Sequence, residues 1–298
     1  MLRQVKLSIL LSKSSEFDFL GDLWQLPPIF DSLVTDKSCL DGRPDFAPSY
    51  WKEYFKIYYL TEKMRSQEDP YFSDVCDRVK VGKLLEDDVQ FLNSRVMPCP
   101  SELINENFKC GKLSIIVTTN AKKDLINHKK LEQLLPHEKE FICNSTDHAV
   151  NLPLRDKLPE TFKNNPAKTG NLHTQLRLKI GAPIVVTVNH AKQKYREDGL
   201  VNGARGYVHA IQTSKTDPEI VDVVWVVFND ENVGRLYRAE HRHLLKGFNP
   251  KHKLATPILP IRRKFKDKFG NVEYQRQNFS LSLAYCITAH KCQGWTLD

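Results

Sequence analysis

No apolar run in this 298-residue sequence approaches the roughly 20 residues that a membrane-spanning helix requires, so helical insertion into a bilayer is not expected. The seven cysteines are odd in number, scattered and free of any C-x-x-C pair. That argues against a disulfide framework and a structural zinc site, and for reduced thiols, as in the cytosol, nucleus or mitochondrial matrix. Nowhere does the chain read G-x-x-x-x-G-K-[ST]. Val81-Gly82-Lys83 and Cys110-Gly111-Lys112 each continue with leucine, so neither builds the loop that cradles β- and γ-phosphates. An acidic magnesium-holding motif and internal repeats are missing as well.

What is present is ordinary for a globular chain: 41% hydrophobic and 27% charged residues, over a length that suits about two domains. The first fifteen residues carry Arg3, Lys6 and Lys13 with serines and no acid, a composition that a mitochondrial targeting peptide shares, while their apolar stretch is too short for a secretory signal. The net charge of +8 is concentrated. From Arg235 to Arg276 there are twelve Lys or Arg against Glu240, Asp267 and Glu273, which leaves 32 basic and 33 acidic residues elsewhere. Tyr237, Phe248, Phe265, Phe269 and Tyr274 are interleaved with these cations. The mixture suits a single-strand nucleic-acid track, in which rings stack on bases while cations hold phosphates. The competing reading is a solvated edge hairpin whose lysines blunt its edge.

Periodicity places a helix from Pro70 to Val81 with Phe72, Val75, Cys76 and Val79 on one face, ended by Gly82, and a short helix from Asp87-Asp88 to Arg95. Pro98-Cys99-Pro100 reads as a linker. Ser114–Thr119 is expected as a buried strand, with Asn120 capping a helix to about Leu135. Glu138–Gly170 is polar and dotted with proline and reads as an irregular insertion. Leu176–Asn189 alternates, turns at Gly181-Ala182 and becomes an apolar strand, followed by strands at Tyr207–Gln212 and Val221–Phe228 spaced like a small antiparallel barrel.

Two polar turns stand where apolar runs stop. Near the start is Phe19-Leu-Gly-Asp-Leu-Trp-Gln-Leu-Pro-Pro28, stiffened by its prolines; near the finish is Ser282-Leu-Ala-Tyr-Cys-Ile-Thr-Ala-His-Lys-Cys-Gln-Gly294, whose donors and glycine suit phosphate contacts. Between them lie Leu60-Thr-Glu-Lys-Met-Arg65-Ser-Gln-Glu-Asp69 and Leu176-Arg-Leu-Lys-Ile-Gly-Ala-Pro-Ile-Val-Val-Thr-Val-Asn189, the latter continued by Asp198-Gly-Leu-Val-Asn-Gly-Ala-Arg-Gly206. Read alone, the first turn is a proline-stiffened bend, Arg65 a surface arginine at a helix start, and Asn189 and Asn202 turn-tying side chains. Cys286, His290 and Cys292 offer no fourth ligand, and strand alternation separates Cys286 from the turn, so no metal site is expected.

Taken together the four segments resemble superfamily-1 DNA helicases of the Pif type, the family that also supplies the helicase part of Helitron-like transposons. The resemblance implies an α/β, RecA-like helicase core: a partial first RecA-like domain at 1–100, a second at 101–202, an inserted SH3-like β-barrel with the basic patch at 203–278, and a return strand with motif V at 279–298. It implies ATP-driven 5′-to-3′ DNA unwinding with ATP and Mg²⁺ as cofactors. Asp22, Gln25 and Arg65 then face the nucleotide, with Gln25 and Arg65 catalytic: the amide senses the terminal phosphate and the guanidinium grips it bidentately. Thr288, His290, Lys291 and Gln293 lie against single-stranded DNA, with Arg262, Arg263 and Lys264 from the basic patch. The residues around Met1–Ser15 resemble the family's helix before motif III. Glu16-Phe-Asp-Phe-Leu20 is a clipped form of the strand that leads into it.

The segments missing relative to the family, namely the phosphate loop, the Mg²⁺ ligands and the arginine-bearing motif VI, imply that the chain as it stands does not hydrolyse ATP unaided. The expected partner is single-stranded or forked DNA, the expected state monomeric, and the expected location nucleus or mitochondrion. A stand-alone single-strand-binding module and a decayed transposon remnant without a stable fold are the alternatives.

Overall fold

The computed structural model describes residues 5–11, 15–21, 55–59, 69–96, 114–149, 163–246, 248–266 and 273–292, the three segments before residue 60 as backbone strands alone. The chain divides into two compact units, Met1–Cys99 with Gln293–Asp298, and Pro100–Cys292. Among the described residues no helix is long and apolar enough to cross a membrane.

The first unit holds strands β1 (Val5–Leu11), β2 (Ser15–Gly21) and β3 (Phe55–Tyr59) in the antiparallel order β2-β1-β3, with Val5 opposite both Gly21 and Tyr59. The helix expected before the first polar turn is therefore a strand. Its sequence explains the correction: Val5, Leu7, Ile9 and Leu11 recur at every second position, a strand's period, and two of the four are β-branched. Asp22 to Pro28, and with them the turn itself, lie outside the described residues.

Helix α1 (Pro70–Lys80) starts at Asp69, whose carboxylate accepts the Phe72 N–H at 2.9 Å, with Pro70 at the first position where its missing N–H costs nothing. It ends as expected at Gly82, at φ +66°. There the Gly82 N–H reaches the Val79 carbonyl and the Lys83 N–H the Arg78 carbonyl, the pairing of a Schellman cap. Of the expected apolar face only Val75 is buried; Phe72 and Val79 are exposed. Helix α2 (Glu86–Ser94) is tied to α1 by Asp88, which accepts the Leu85 N–H at 2.9 Å and both Nε and Nη2 of Arg78 at 2.6 Å. The Arg78 hydrogen bond holds the Asp88 carboxyl below its ordinary range.

The second unit opens with β4 (Ile115–Val117) and α3 (Asn120–Leu134). Short strands β5 (Phe141–Asn144) and β6 (Thr146–Ala149) follow in the segment expected to be irregular. Their partners are distant. β5 pairs with β7 (Gln175–Leu178), and β6 pairs with β13 (Glu273–Asn278), which also pairs with β12 (Ile261–Lys266). Pairing over such separations leaves little local periodicity to read.

The largest sheet runs β11-β10-β9-β8-β14, built from β8 (Pro183–Val186), β9 (Arg205–Thr213), β10 (Val221–Phe228), β11 (Thr256–Ile258) and β14 (Leu281–Leu283), with every pair antiparallel. β10 is covered on both faces. Val224, Val226 and Phe228 join the main core with Leu178, Ile184 and Leu281, while Val223, Trp225 and Val227 form a second cluster with Ala255. A strand buried on both sides reads as a continuous apolar run, which is how Val221–Phe228 appears in the sequence. Gly206 sits opposite Phe228, and a Cβ there would lie 2.3 Å from the Val227 carbonyl oxygen, so only glycine lets β9 approach β10.

The turn expected at Gly181-Ala182 lies between β7 and β8. Asn189 ties the loop that holds the short helix α4 (Gln193–Glu197), as read from the sequence: its Oδ1 accepts the Asn202 N–H at 2.7 Å.

One buried cation organises the smaller sheet. Arg276 is fully enclosed and forks onto Asp147, opposite it in register, with Nε and Nη2 each at 2.7 Å from a carboxylate oxygen. Its Nη1 reaches Thr169 Oγ1 and the carbonyls of Lys163 and Leu172. An enclosed guanidinium is tolerated only when charge and donors are satisfied together. Arg276→Ala leaves Asp147 without its partner and is expected to lower unfolding stability by about 3–5 kcal/mol; in urea titration, a loss below about 1 kcal/mol would contradict this assignment.

Candidate nucleic-acid interface

The site begins with a parallel strand pair. β15 (Cys286–Thr288) lies beside β4 with Cys286 opposite Ile115 and Thr288 opposite Val117, so both strands end at the same level. β4 leads into α3, and β15 into the short helix α6 (Ala289–Cys292). In open α/β sheets ligands sit at the carboxyl ends of parallel strands, where such turns gather. Asn127 of α3 fixes the arrangement from within. Fully enclosed, its side-chain amide donates to the carbonyls of Cys286 at 3.0 Å and Leu283 at 3.3 Å and accepts the Cys286 N–H at 2.8 Å. Ser114 Oγ adds a bond to the Ala284 carbonyl at 3.0 Å.

α3 is capped by Thr119, whose Oγ1 accepts the Lys122 N–H at 3.4 Å; Asn120, expected as the cap, is the first helical residue. The shift follows from backbone geometry. Thr119 is extended, as a cap must be, and its carbonyl already accepts the Lys123 N–H. The first turn contains no acid, and the N–H groups of Asn120 and Ala121 have no helical acceptor. Such a terminus favours an anion.

A cavity of about 330 Å³ opens at this end. α3 supplies Asn120, Lys123 and Asp124, the α6 turn supplies Lys291, and the segment 164–167 lines it together with Asn171, His173 and Thr187. Burial pushes the Lys291 ammonium below its ordinary value, with the charge of Lys123 adding to the effect and Asp124 opposing it. Burial also pushes His173 down to about 4, helped by Lys123 and Lys291, so its ring is neutral at pH 7. Lys123 is held at 3.0 Å from Asp124. Nearby, Asn171 adopts φ +62°, rare outside glycine, and its carbonyl accepts Thr187 Oγ1 at 3.0 Å. The cavity thus gathers two ammonium groups, one of them paired with the Asp124 carboxylate, together with helix-end amides and neutral polar side chains, a donor set that suits a phosphodiester oxygen.

Of the residues expected to contact DNA, Thr288 is buried at the end of β15, His290 is exposed and Lys291 lines the cavity. Gln293, Asp22, Gln25 and Arg65 lie outside the described residues. Arg262, Arg263 and Lys264 are exposed on β12, an edge strand. There alternation turns Arg263 to the opposite face from the other two. Arg262 bonds Gln277 at 2.8 Å, and Lys264 pairs with Glu273 at 3.0 Å. Arg262 and Arg263 border a different, apolar cavity of about 120 Å³. For three of the five interleaved aromatics the expectation of open stacking faces is overturned. Tyr237, Phe265 and Tyr274 are buried, the last two stacked on each other at 5.8 Å, and Phe269 lies outside the described residues.

Sequence reasoning missed Lys123, Asn127, His173 and Thr187. The available signal was the Val117-Thr-Thr-Asn120 turn, a strand end followed by a cap, which marks a helix terminus able to meet an anion. Burial disfavours the charged form of Lys291, so in a pH titration of reductively ¹³C-methylated lysines its signal is expected to move at lower pH than the exposed lysines. A signal that titrates with the others would remove it from the cavity.

No protein-family model matches the chain. Curated proteins similar to it include the ATP-dependent DNA helicase PIF1 of Xenopus laevis, 23% identical over 93% of this chain and 35% of that protein, and Pif1 of Bdellovibrio bacteriovorus, 26% identical over 93% and 49%. The chain therefore spans about a third to a half of the length of these relatives. Among solved structures, Pif1 helicase from Candida albicans aligns over 93% of this chain and 56% of its own, with TM-score 0.58 and 22% identity. A structure of two coordinating Pif1 helicases at forked duplex DNA aligns over 93% and 52%, with TM-score 0.54 and 20% identity. In sequence and in fold, over nearly its whole length, the chain is similar to the Pif1 ATP-dependent DNA helicases.

Proposed function

We propose that this chain is the C-terminal part of an ATP-dependent 5′-to-3′ DNA helicase. The observation that carries the reading is the cavity at the shared end of β4 and β15, where Lys291 and Lys123 meet the first turn of α3 in a chain related to helicases. In this reading Lys291 and the free amides of α3 hold backbone phosphates of a single strand, and Thr288, His290 and Gln293 lie along the same strand. Neutral His173 gives a polar wall without fixed charge. The strand enters as single-stranded or forked DNA and the protein works as a monomer in the nucleus or mitochondrion.

The finer domain plan belongs to the same proposal: a partial first RecA-like domain at 1–100, a second at 101–202 resuming at 279–298, and an SH3-like barrel at 203–278. The antiparallel β9 and β10 and the exposed cations of β12 support the last of these. Asp22, Gln25 and Arg65 stand on the nucleotide side. When bound, ATP and Mg²⁺ supply the phosphoryl-transfer chemistry. The sequence contains neither a phosphate loop nor the acidic magnesium motif, so ATP turnover needs residues outside it. Catalysis of that step is chiefly positioning and charge neutralisation. Purified chain is expected to show no ATPase above background with single-stranded DNA and Mg²⁺, and clear turnover would refute the assignment of these missing parts.

Binding is tested by fluorescence anisotropy with a labelled single strand. Lys291→Ala removes one charge-assisted phosphate contact, expected to weaken binding about 10-fold or more and to lower the salt slope by about 0.7. Unchanged affinity and slope would sink the cleft as a strand site. Loss of binding on changing Arg262, Arg263 and Lys264 to Ala, with Lys291→Ala silent, would instead favour the alternative, a stand-alone single-strand-binding module acting through the edge hairpin.

A further inference from the structure

We infer that a second cleft in the Pro100–Cys292 unit grips the phosphodiester backbone of a nucleic-acid duplex, an inference that rests on the DNA reading above. The cleft has a volume of about 720 Å³ and shares no lining residue with the β4–β15 cavity. It borders β10 and β11 at one end of the five-stranded sheet, whereas the chain reaches β15 from β14 at the other end. Four strand spacings of about 4.8 Å put roughly 20 Å between those ends.

One wall is helical. Helix α5 (Arg235–Glu240) and the 3₁₀ turn that follows it, Arg242–Lys246, present Arg235, Arg238 and Arg242, spaced to recur on one side of a helix. The facing wall is the loop that carries Lys251, His252 and Lys253. Against these five fixed cations stands one lining carboxylate, Glu231. Arg238 is structural in part, donating to the Val233 and Glu231 carbonyls and to Thr256 Oγ1. Arg235, Arg242, Lys251 and Lys253 are exposed and have no ion pair among the described residues.

The loop is also constrained. Lys251 adopts φ +60°, and its N–H donates to Asn249 Oδ1 at 2.9 Å. A lysine in that region costs backbone energy, and the site holds its ammonium on the cleft rather than leaving the position to glycine or asparagine.

Among the described residues the rings at the cleft are already engaged with one another, and this selects the ligand. Proteins that hold single strands combine cations with aromatic platforms for the bases. Here Trp225 is 1% exposed, with Phe248 stacked on it at 5.9 Å, and both half-buried imidazoles of the lining are engaged, His241 stacked on Tyr237 at 3.9 Å and His252 packed against His209 at 5.0 Å. The cleft therefore offers much charge and little ring face for stacking, which suits a backbone whose bases are already paired.

The test compares the full wild-type chain with the triple variant Arg242→Gln, Lys251→Asn and Lys253→Gln, in anisotropy with a blunt duplex and with a single strand of equal length. All three positions are exposed, and Asn suits the left-handed backbone at 251, so thermal unfolding should match wild type. Expected are at least a 10-fold loss of duplex affinity, a salt slope lower by about 2–3, and single-strand binding within 2-fold of wild type. Unchanged duplex binding overturns the inference, and single-strand binding that still depends on Lys291 shows that the first cleft stands regardless. Equal losses on both DNAs overturn the duplex assignment in favour of a continuous strand track. Competition by poly-glutamate at lower concentration than by duplex overturns it in favour of an acidic protein partner. Wild-type chain that binds neither DNA fails the helicase reading itself.

Discussion

The parallel pairing of β4 with β15 is the constraint on which the candidate site depends. It joins residues about 170 positions apart, so everything between them must fold back before the turns that follow β4 and β15 can meet. Asn127 is the lock. Its enclosed amide satisfies one N–H and two carbonyls of the segment leading into and through Cys286, groups that would otherwise be buried unpaired beneath α3. A one-residue slip in this register would point Thr288 to the other face and carry Lys291 away from the helix terminus. The anion-binding character of the cavity is thus a property of register rather than of any single side chain.

The basic segment shows how composition and placement differ. Twelve cations between Arg235 and Arg276 look like one patch in the sequence. In the fold they take separate tasks. Arg276 is an internal strut of the β12–β13–β6 sheet, Arg238 ties the loop before α5 to β11, Arg262 and Lys264 bond their cross-strand neighbours, and Arg235, Arg242, Lys251 and Lys253 line a cleft with no ion pair among the described residues. The aromatics counted with them are mostly core, because a ring of that size next to a strand stabilises more by burial than by waiting for a base.

Strong local signals were legible before the structure. The ends of α1 followed from Pro70 and Gly82, the turn before β8 from Gly181-Ala182, β10 from its unbroken apolar run, and the Asn189 tie from its place beside a turn. The polar turn after β15 was likewise visible from SLAYCIT running into AHKC, and Lys291 lies on the cavity it leads to. What was not legible depends on long-range partners. β5 and β6 have no period of their own, Ile116 is exposed in a strand expected to be buried, and Lys123 and His173 reach the cavity only through the fold. The segment before the first polar turn is the opposite case: its family resemblance points to a helix, while the two-residue alternation of Val5–Leu11 points to the strand it forms.

The central claim is that two turns distant in sequence form one phosphate-binding cleft. Backbone amide shifts measured by NMR during titration with a short single strand test it most directly. The account predicts that Asn120, Ala121 and Lys291 shift together with one saturation curve. Saturable binding that moves Lys291 while the first turn of α3 stays still would contradict it.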